Sequence, residues 1–173
     1  MTKSNQKLLK VDIFSVSRNL QTVQDTVAVA DMPQLQKLLA DDAGQLTVTI
    51  VGTKGDRGLP GANLTIDGTV NMLCTRCTKP MSVTVHREVP FLFTKTEEEA
   101  DLIPIEAEDV EIVVGSEEMN VAEWVQEEVI LSLPAFPKHD DCESVLDDWE
   151  DDTPDVEEKR PNPFANLKDL LKK

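Results

Sequence analysis

Cys74 and Cys77, three positions apart, are the residues of this sequence best suited to chemistry. A turn carrying such a pair presents two thiolates about 3.5 to 4 Å apart, the spacing of a zinc knuckle, and the metal supplies the energy that closes the turn. Zinc takes four ligands, and His139 with Cys142 offers a second pair if the chain returns to the knuckle after an intervening helix. Two residues separate that histidine and cysteine, fewer than in the usual finger half. The competing reading is a set of reduced, partly buried thiols without metal. Three cysteines are an odd count, and Met1 to Lys10 lacks the apolar core of a secretory signal, so a disulfide framework is not expected.

Other chemistries assemble less well. A thioredoxin-like pair needs its first cysteine at a helix N-terminus, where the dipole lowers the thiol pKa, whereas the pattern here is strand, turn, strand. Of the two histidines, His86 falls on an alternating strand face and reads as a surface residue, and no serine or cysteine sits in a nucleophile elbow. Paired carboxylates carry no information about acid-base work in so acidic a chain. The glycine-rich stretch from Gly52 to Gly61 does not run through Gly-Lys-Ser/Thr into a helix, so it reads as a hairpin connection and not a phosphate loop. The expectation is a protein that is not an enzyme.

Several elements must position the cysteines. Leu64, Ile66, Val70 and Met72 alternate with Thr65, Asp67, Thr69 and Asn71, and a second alternation runs from Met81 through Val83, Val85, Val89 and Phe91 to Phe93. Cys74 to Pro80 between them becomes a hairpin tip. Leu46, Val48 and Ile50 predict another half-buried strand, and Lys10 to Leu20 a first one. Asp31 and Gln34 resemble a capping pair for a helix ending near Gly44, with Leu35, Leu38 and Leu39 on one face. Ile112 to Val114 and Leu102-Ile103 are candidate edge strands. Asn120, with Glu123 completing a capping box, starts a helix to about Leu133 that turns Val121, Trp124, Val125, Val129 and Leu131 inward and Glu123, Glu127 and Glu128 to water. With aromatics at 4%, no tyrosine and 40% hydrophobic residues, the core must be built mainly of Val, Leu and Ile.

The fold expected is therefore α+β: a mainly antiparallel, barrel-like sheet with two helices over residues 8–137, then an acidic, partly disordered tail. Residues 138–158 read as an acidic linker interrupted by Val145, Leu146 and Trp149. Residues 159–173 read as a short amphipathic basic peptide, in which Pro161, Asn162, Pro163, Phe164, Leu167 and Leu170, together with Trp149, are candidate partner contacts.

Charge is distributed unevenly. Residues 1–96 carry 11 basic and 8 acidic side chains, residues 97–158 carry 1 and 24, and residues 159–173 carry 5 and 1, for a net charge of -16. Such a surface disfavours broad contact with phosphate backbones, whose affinity comes from Lys and Arg displacing counterions. It attracts basic polypeptides instead. The expected partner is a basic polypeptide, with nucleic-acid phosphate touched only locally through Lys168, Lys172 and Lys173. No apolar run approaches the roughly 18 residues needed to span a bilayer, and a cytoplasmic location without membrane partners is expected.

An ordered set of motifs then resembles one family. Leu73-Cys74-Thr75-Arg76-Cys77, the block Glu97 to Pro104, the run Glu127 to Pro134, Pro137-Lys138-His139-Asp140 with Cys142-Glu143, and the closing Lys159 to Phe164 are similar in order and spacing to the YceD (DUF177) family. The resemblance implies a role in synthesis, processing or stability of large-subunit (23S) ribosomal RNA, with no assigned catalytic activity. With the charge, it implies a basic ribosomal protein or large-subunit assembly factor as partner, ribosomal RNA being touched indirectly or locally through the C-terminal basic peptide. Members with more cysteines near Cys142 resemble metal binders, whereas this sequence has only His139 and Cys142 there. The alternatives are a zinc-knuckle structural module and a metal-dependent RNA-processing enzyme.

Overall fold

The alternation from Leu64 to Met72 becomes the central strand of an open five-stranded sheet. The computed structural model describes residues 10–55, 58–104 and 110–144. In chain order these form β1 (Lys10–Val11), α1 (Ile13–Arg18), β2 (Thr22–Ala28), a short 3-10 turn (Val29–Asp31), α2 (Pro33–Gln36), β3 (Gln45–Lys54), β4 (Pro60–Leu73) and β5 (Pro80–Thr94). α3 (Glu97–Asp101), β6 (Glu111–Val114), β7 (Met119–Asn120) and α4 (Val121–Ser132) follow. The sheet order is β2-β3-β4-β5-β6: β2 to β5 pair antiparallel, β6 joins β5 parallel, and β1 and β7 form a separate two-stranded ribbon.

The α+β class holds, but the sheet is not a barrel. Closure requires the first and last strands to meet with a consistent tilt and stagger. Here β2 and the four-residue β6 lie at opposite edges and do not pair. Four α-helices, all short but one, stand among the described residues where two were expected.

Strand pleating sends one side chain in two to the core. Leu46, Val48 and Ile50 of β3, Leu64, Ile66 and Val70 of β4, and Val85, Val89, Phe91 and Phe93 of β5 are buried in one cluster with Ile13 and Val16 of α1 and with Val121, Trp124, Val125 and Val129 of α4. Trp124 meets Phe91 and Phe93 edge to face, with ring centroids 4.9 and 5.8 Å away. Such pairs add about 0.5 to 1.5 kcal/mol each to the burial itself.

Several local expectations are corrected. Lys10 to Leu20 is not one strand: Asp12 Oδ1 accepts a hydrogen bond from the Ser15 N–H at 3.0 Å and starts α1. β2, unmarked in the sequence, is an edge strand that buries only Val27 and so shows no clear alternation. The helix expected to reach Gly44 ends at Gln36, has no side-chain cap, and leaves Leu38 exposed. Leu102 and Ile103 follow α3 as a turn, while Ile112 to Val114 do lie in the edge strand β6. In α4 the Asn120 cap is present, its Oδ1 accepting from the Glu123 N–H at 3.4 Å. Leu131, however, is exposed and Glu128 is buried. Four residues after Trp124 and three after Val125, Glu128 shares their inward stripe. Burial, followed by the charge of Glu111, pushes its carboxyl up against the pull of Arg87, which donates to Glu128 and to Glu111 at 3.3 Å each.

Candidate metal centre

The long β4–β5 hairpin ends at the pair Leu73 and Pro80, and the six residues between them form the knuckle. Cys74 N–H donates to Lys79 O at 2.9 Å, Thr78 N–H to Cys74 O at 2.9 Å, and Arg76 N–H to Cys74 Sγ at 3.4 Å. Thr78 has a φ of 57°, the left-handed region that a β-branched residue rarely adopts. The turn is held there by its surroundings, at a local penalty of about 1 kcal/mol or more.

Past α4 the chain comes back to this tip. Pro137 O accepts from the Thr75 N–H at 2.8 Å and from Thr75 Oγ1 at 3.1 Å. That anchor brings His139 and Cys142 onto the knuckle: Cys74 Sγ lies 3.5 Å from Cys142 Sγ, and Cys77 Sγ lies 3.4 Å from His139 Nδ1. One ligand atom from each of the four residues lies within 4.8 Å of the others. Metal–ligand bonds of about 2.3 Å to sulfur and 2.0 Å to nitrogen give tetrahedral edges of roughly 3.5 to 3.8 Å, which these contacts match. The 3.5 Å sulfur separation is far longer than a disulfide bond of about 2.05 Å. Cys74 and Cys77 are buried, and His139 and Cys142 are half-buried.

The environment favours thiolate unequally. Burial opposes charge on Cys74, but the N–H groups of Cys77, His139 and Arg76 and the Cys142 thiol outweigh it and bring Cys74 down to about 5. At Cys77 the Lys79 N–H favours the thiolate, yet burial and the sulfurs of Cys74 and Cys142 push its pKa up.

Arg76 was not singled out in the sequence, although it lies between the two cysteines. Its Nε donates to Cys142 Sγ at 3.0 Å, and its Nη2 donates to His139 O at 3.0 Å and Asp140 O at 3.2 Å. The hydrogen bond to Cys142 raises the Arg76 pKa. One guanidinium thus clamps the returning segment and faces its thiol. The only signal available was a cation inside a thiolate pair.

The remaining residues of interest stand elsewhere. His86 is exposed, as expected, with Nδ1 2.6 Å from Asp67 Oδ1, and that hydrogen bond raises its pKa. Trp149, Pro161, Asn162, Pro163, Phe164, Leu167 and Leu170 lie outside the described residues. No helix among the described residues is long and apolar enough to cross a membrane.

The family model for the large ribosomal RNA subunit accumulation protein YceD matches residues 62–171, a stretch containing all four cage residues. The chain belongs to the YceD family. A relative from Haemophilus influenzae, the large ribosomal RNA subunit accumulation protein YceD, is 32% identical over 107 residues, covering 60% of this chain. The match spans 61% of that relative's own length. No solved structure matches. In this YceD-family chain the matched region begins inside β4, so β1, α1, β2 and β3 precede it.

Proposed function

We propose that this protein serves accumulation of large-subunit ribosomal RNA by binding and not by catalysis, with a structural zinc ion held by Cys74, Cys77, His139 and Cys142. The observation that carries the non-catalytic reading is the full donor set: four protein ligand atoms within 4.8 Å of one another, two of the separations at tetrahedral-edge length and two of the atoms on buried residues. A hydrolytic zinc centre keeps one position open for water or substrate, and a metal-dependent RNA-processing enzyme would need such an opening. Three sulfurs with one imidazole nitrogen suit zinc over the hard cations. The ion would supply a cross-link between the hairpin tip and the segment after α4. Arg76 offsets the excess negative charge of three thiolates.

Binding is assigned to the acidic half. Glu97, Glu98, Glu99, Asp101, Glu117, Glu118, Glu123 and Glu127 are all exposed on or beside α3, β7 and α4. That surface suits a basic ribosomal protein or assembly factor, with the segment from residue 159 onward as a second contact. The test is the ratio of large- to small-subunit ribosomal RNA in cells lacking the protein, complemented with the native chain or with Cys74→Ser/Cys142→Ser. The native chain restores the ratio and the double variant does not. A normal ratio without any copy of the protein would end the proposal.

A further inference from the structure

A second site stands at the other end of the same hairpin. Where β3 turns into β4, a cleft of about 620 Å3 opens between α1 and the strand ends, with Phe14, Leu59 and Pro60 on its apolar side and Arg18, Lys54 and Lys95 around it. Its size lies within the usual range for small-ligand sites. Glu117 is the one carboxylate among its described lining residues. In a chain of net charge -16, this is a local excess of positive charge. Among the described residues, none of the three cationic side chains forms an ion pair or hydrogen bond, as is also true of Lys79 and Lys138, whereas Lys10, Arg76 and Arg87 are engaged; only at this cleft do three such cations gather beside an aromatic ring.

The wall of the cleft is fixed. Ser17 Oγ donates to Thr53 O at 2.7 Å and accepts from the Gly61 N–H at 2.9 Å, pinning α1 across the ends of β3 and β4. Gly52 permits the approach, because a Cβ there would stand 2.1 Å from Val16 O. The Phe14 ring abuts Gly115 and stays half-buried. The aromatic ring is therefore held in place before any ligand arrives, and the exposed cations stand around it.

We propose that this cleft binds single-stranded RNA, with phosphates on Arg18, Lys54 and Lys95 and a base stacked against Phe14; this rests on the reading that the protein serves ribosomal RNA by binding. Lysines act on phosphate as point charges, and stacking on an aromatic ring tolerates any base. A duplex offers neither a free base face nor a backbone narrow enough to enter the cleft. An acidic peptide is the competing ligand. Extended peptides are usually held by pairing with a free strand edge, and the strands ending here, β3, β4 and β5, are all interior to the sheet. Unpaired point charges beside an aromatic ring favour a ligand recognised by phosphate and base.

The test is fluorescence anisotropy of a labelled single-stranded oligoribonucleotide with the full chain, across a salt series. Lys54→Gln/Lys95→Gln, at exposed positions, weakens binding about tenfold at low salt and flattens the salt dependence by about 1.4 in log-log slope. Phe14→Leu, which keeps an apolar side chain without the ring, weakens it about fivefold or more with the slope unchanged. Duplex RNA, uridine monophosphate and an oligoglutamate peptide compete poorly. Unchanged affinity in the variants, or equal competition by duplex, mononucleotide or peptide, overturns the RNA site. Those results leave the ribosomal-RNA ratio in complemented cells untouched, so the two readings fail separately.

Discussion

At the tip of the β4–β5 hairpin, Thr75, Arg76 and the cysteines are turned on the chain's own groups and, among the described residues, only Lys79 and Lys138 stand unpaired; at the opposite end, roughly 45 Å along the 14 residues of β4, three cations are left facing outward around one cleft. Around the cysteines, Arg76 is occupied by Cys142, His139 and Asp140, and Thr75 by Pro137. Around the cleft, the backbone is as firmly seated through Ser17, yet the cations Arg18, Lys54 and Lys95 form no ion pair among the described residues. A site whose donors and acceptors are satisfied within the chain serves the chain's own stability. One that is rigid yet unsatisfied is arranged for something that arrives from outside. The cage lies within the family-matched region, whereas Phe14, Arg18, Lys54, Leu59 and Pro60 precede it.

If that contrast is right, perturbations at the two ends separate stability from binding. Removing zinc with a chelator has the largest effect. At metal concentrations far above the dissociation constant, binding contributes about 4 kcal/mol, so metal loss lowers the melting temperature by roughly 10 °C in calorimetry. The loss comes more readily as pH falls, because protons compete with the metal for the thiolates. Gly52→Ala follows, at about 3 kcal/mol by denaturant unfolding, because its Cβ would meet the Val16 carbonyl and α1 must move off the sheet. Thr78→Gly gains about 0.5 kcal/mol by the same measurement, since relief of the left-handed conformation outweighs the added freedom of the unfolded chain. Lys54→Gln/Lys95→Gln stays within about 0.5 kcal/mol of the native chain, as exposed changes away from packing do. A large loss there would show that the cationic end is structural and dissolve the contrast.

How much of this was legible in the sequence depended on how local each signal is. The β4–β5 hairpin and its cysteine tip were readable because alternation and spacing are short-range. The return of His139 and Cys142 was readable as chemistry, since four zinc-type ligands occur in two pairs. Arg76 was not, because its role depends on carbonyl groups more than 60 positions away. Ile13, Phe14 and Val16 fit both a loose strand and one turn of helix, and only the Asp12 cap decides between them. The cleft had no linear signature: Phe14, Ser17 and Arg18 meet Lys54, Leu59, Pro60, Lys95 and Glu117 only after α1 is seated at Gly52. The barrel expectation failed because alternation marks strands but not whether the outermost two will pair.

X-ray absorption at the zinc edge of the purified full chain decides whether the four residues form a closed metal cage. One zinc ion per chain is expected, surrounded by three sulfurs at about 2.3 Å and one nitrogen at about 2.0 Å. A folded chain that carries no metal, or zinc with an oxygen ligand in place of a protein sulfur, would contradict a closed structural cage.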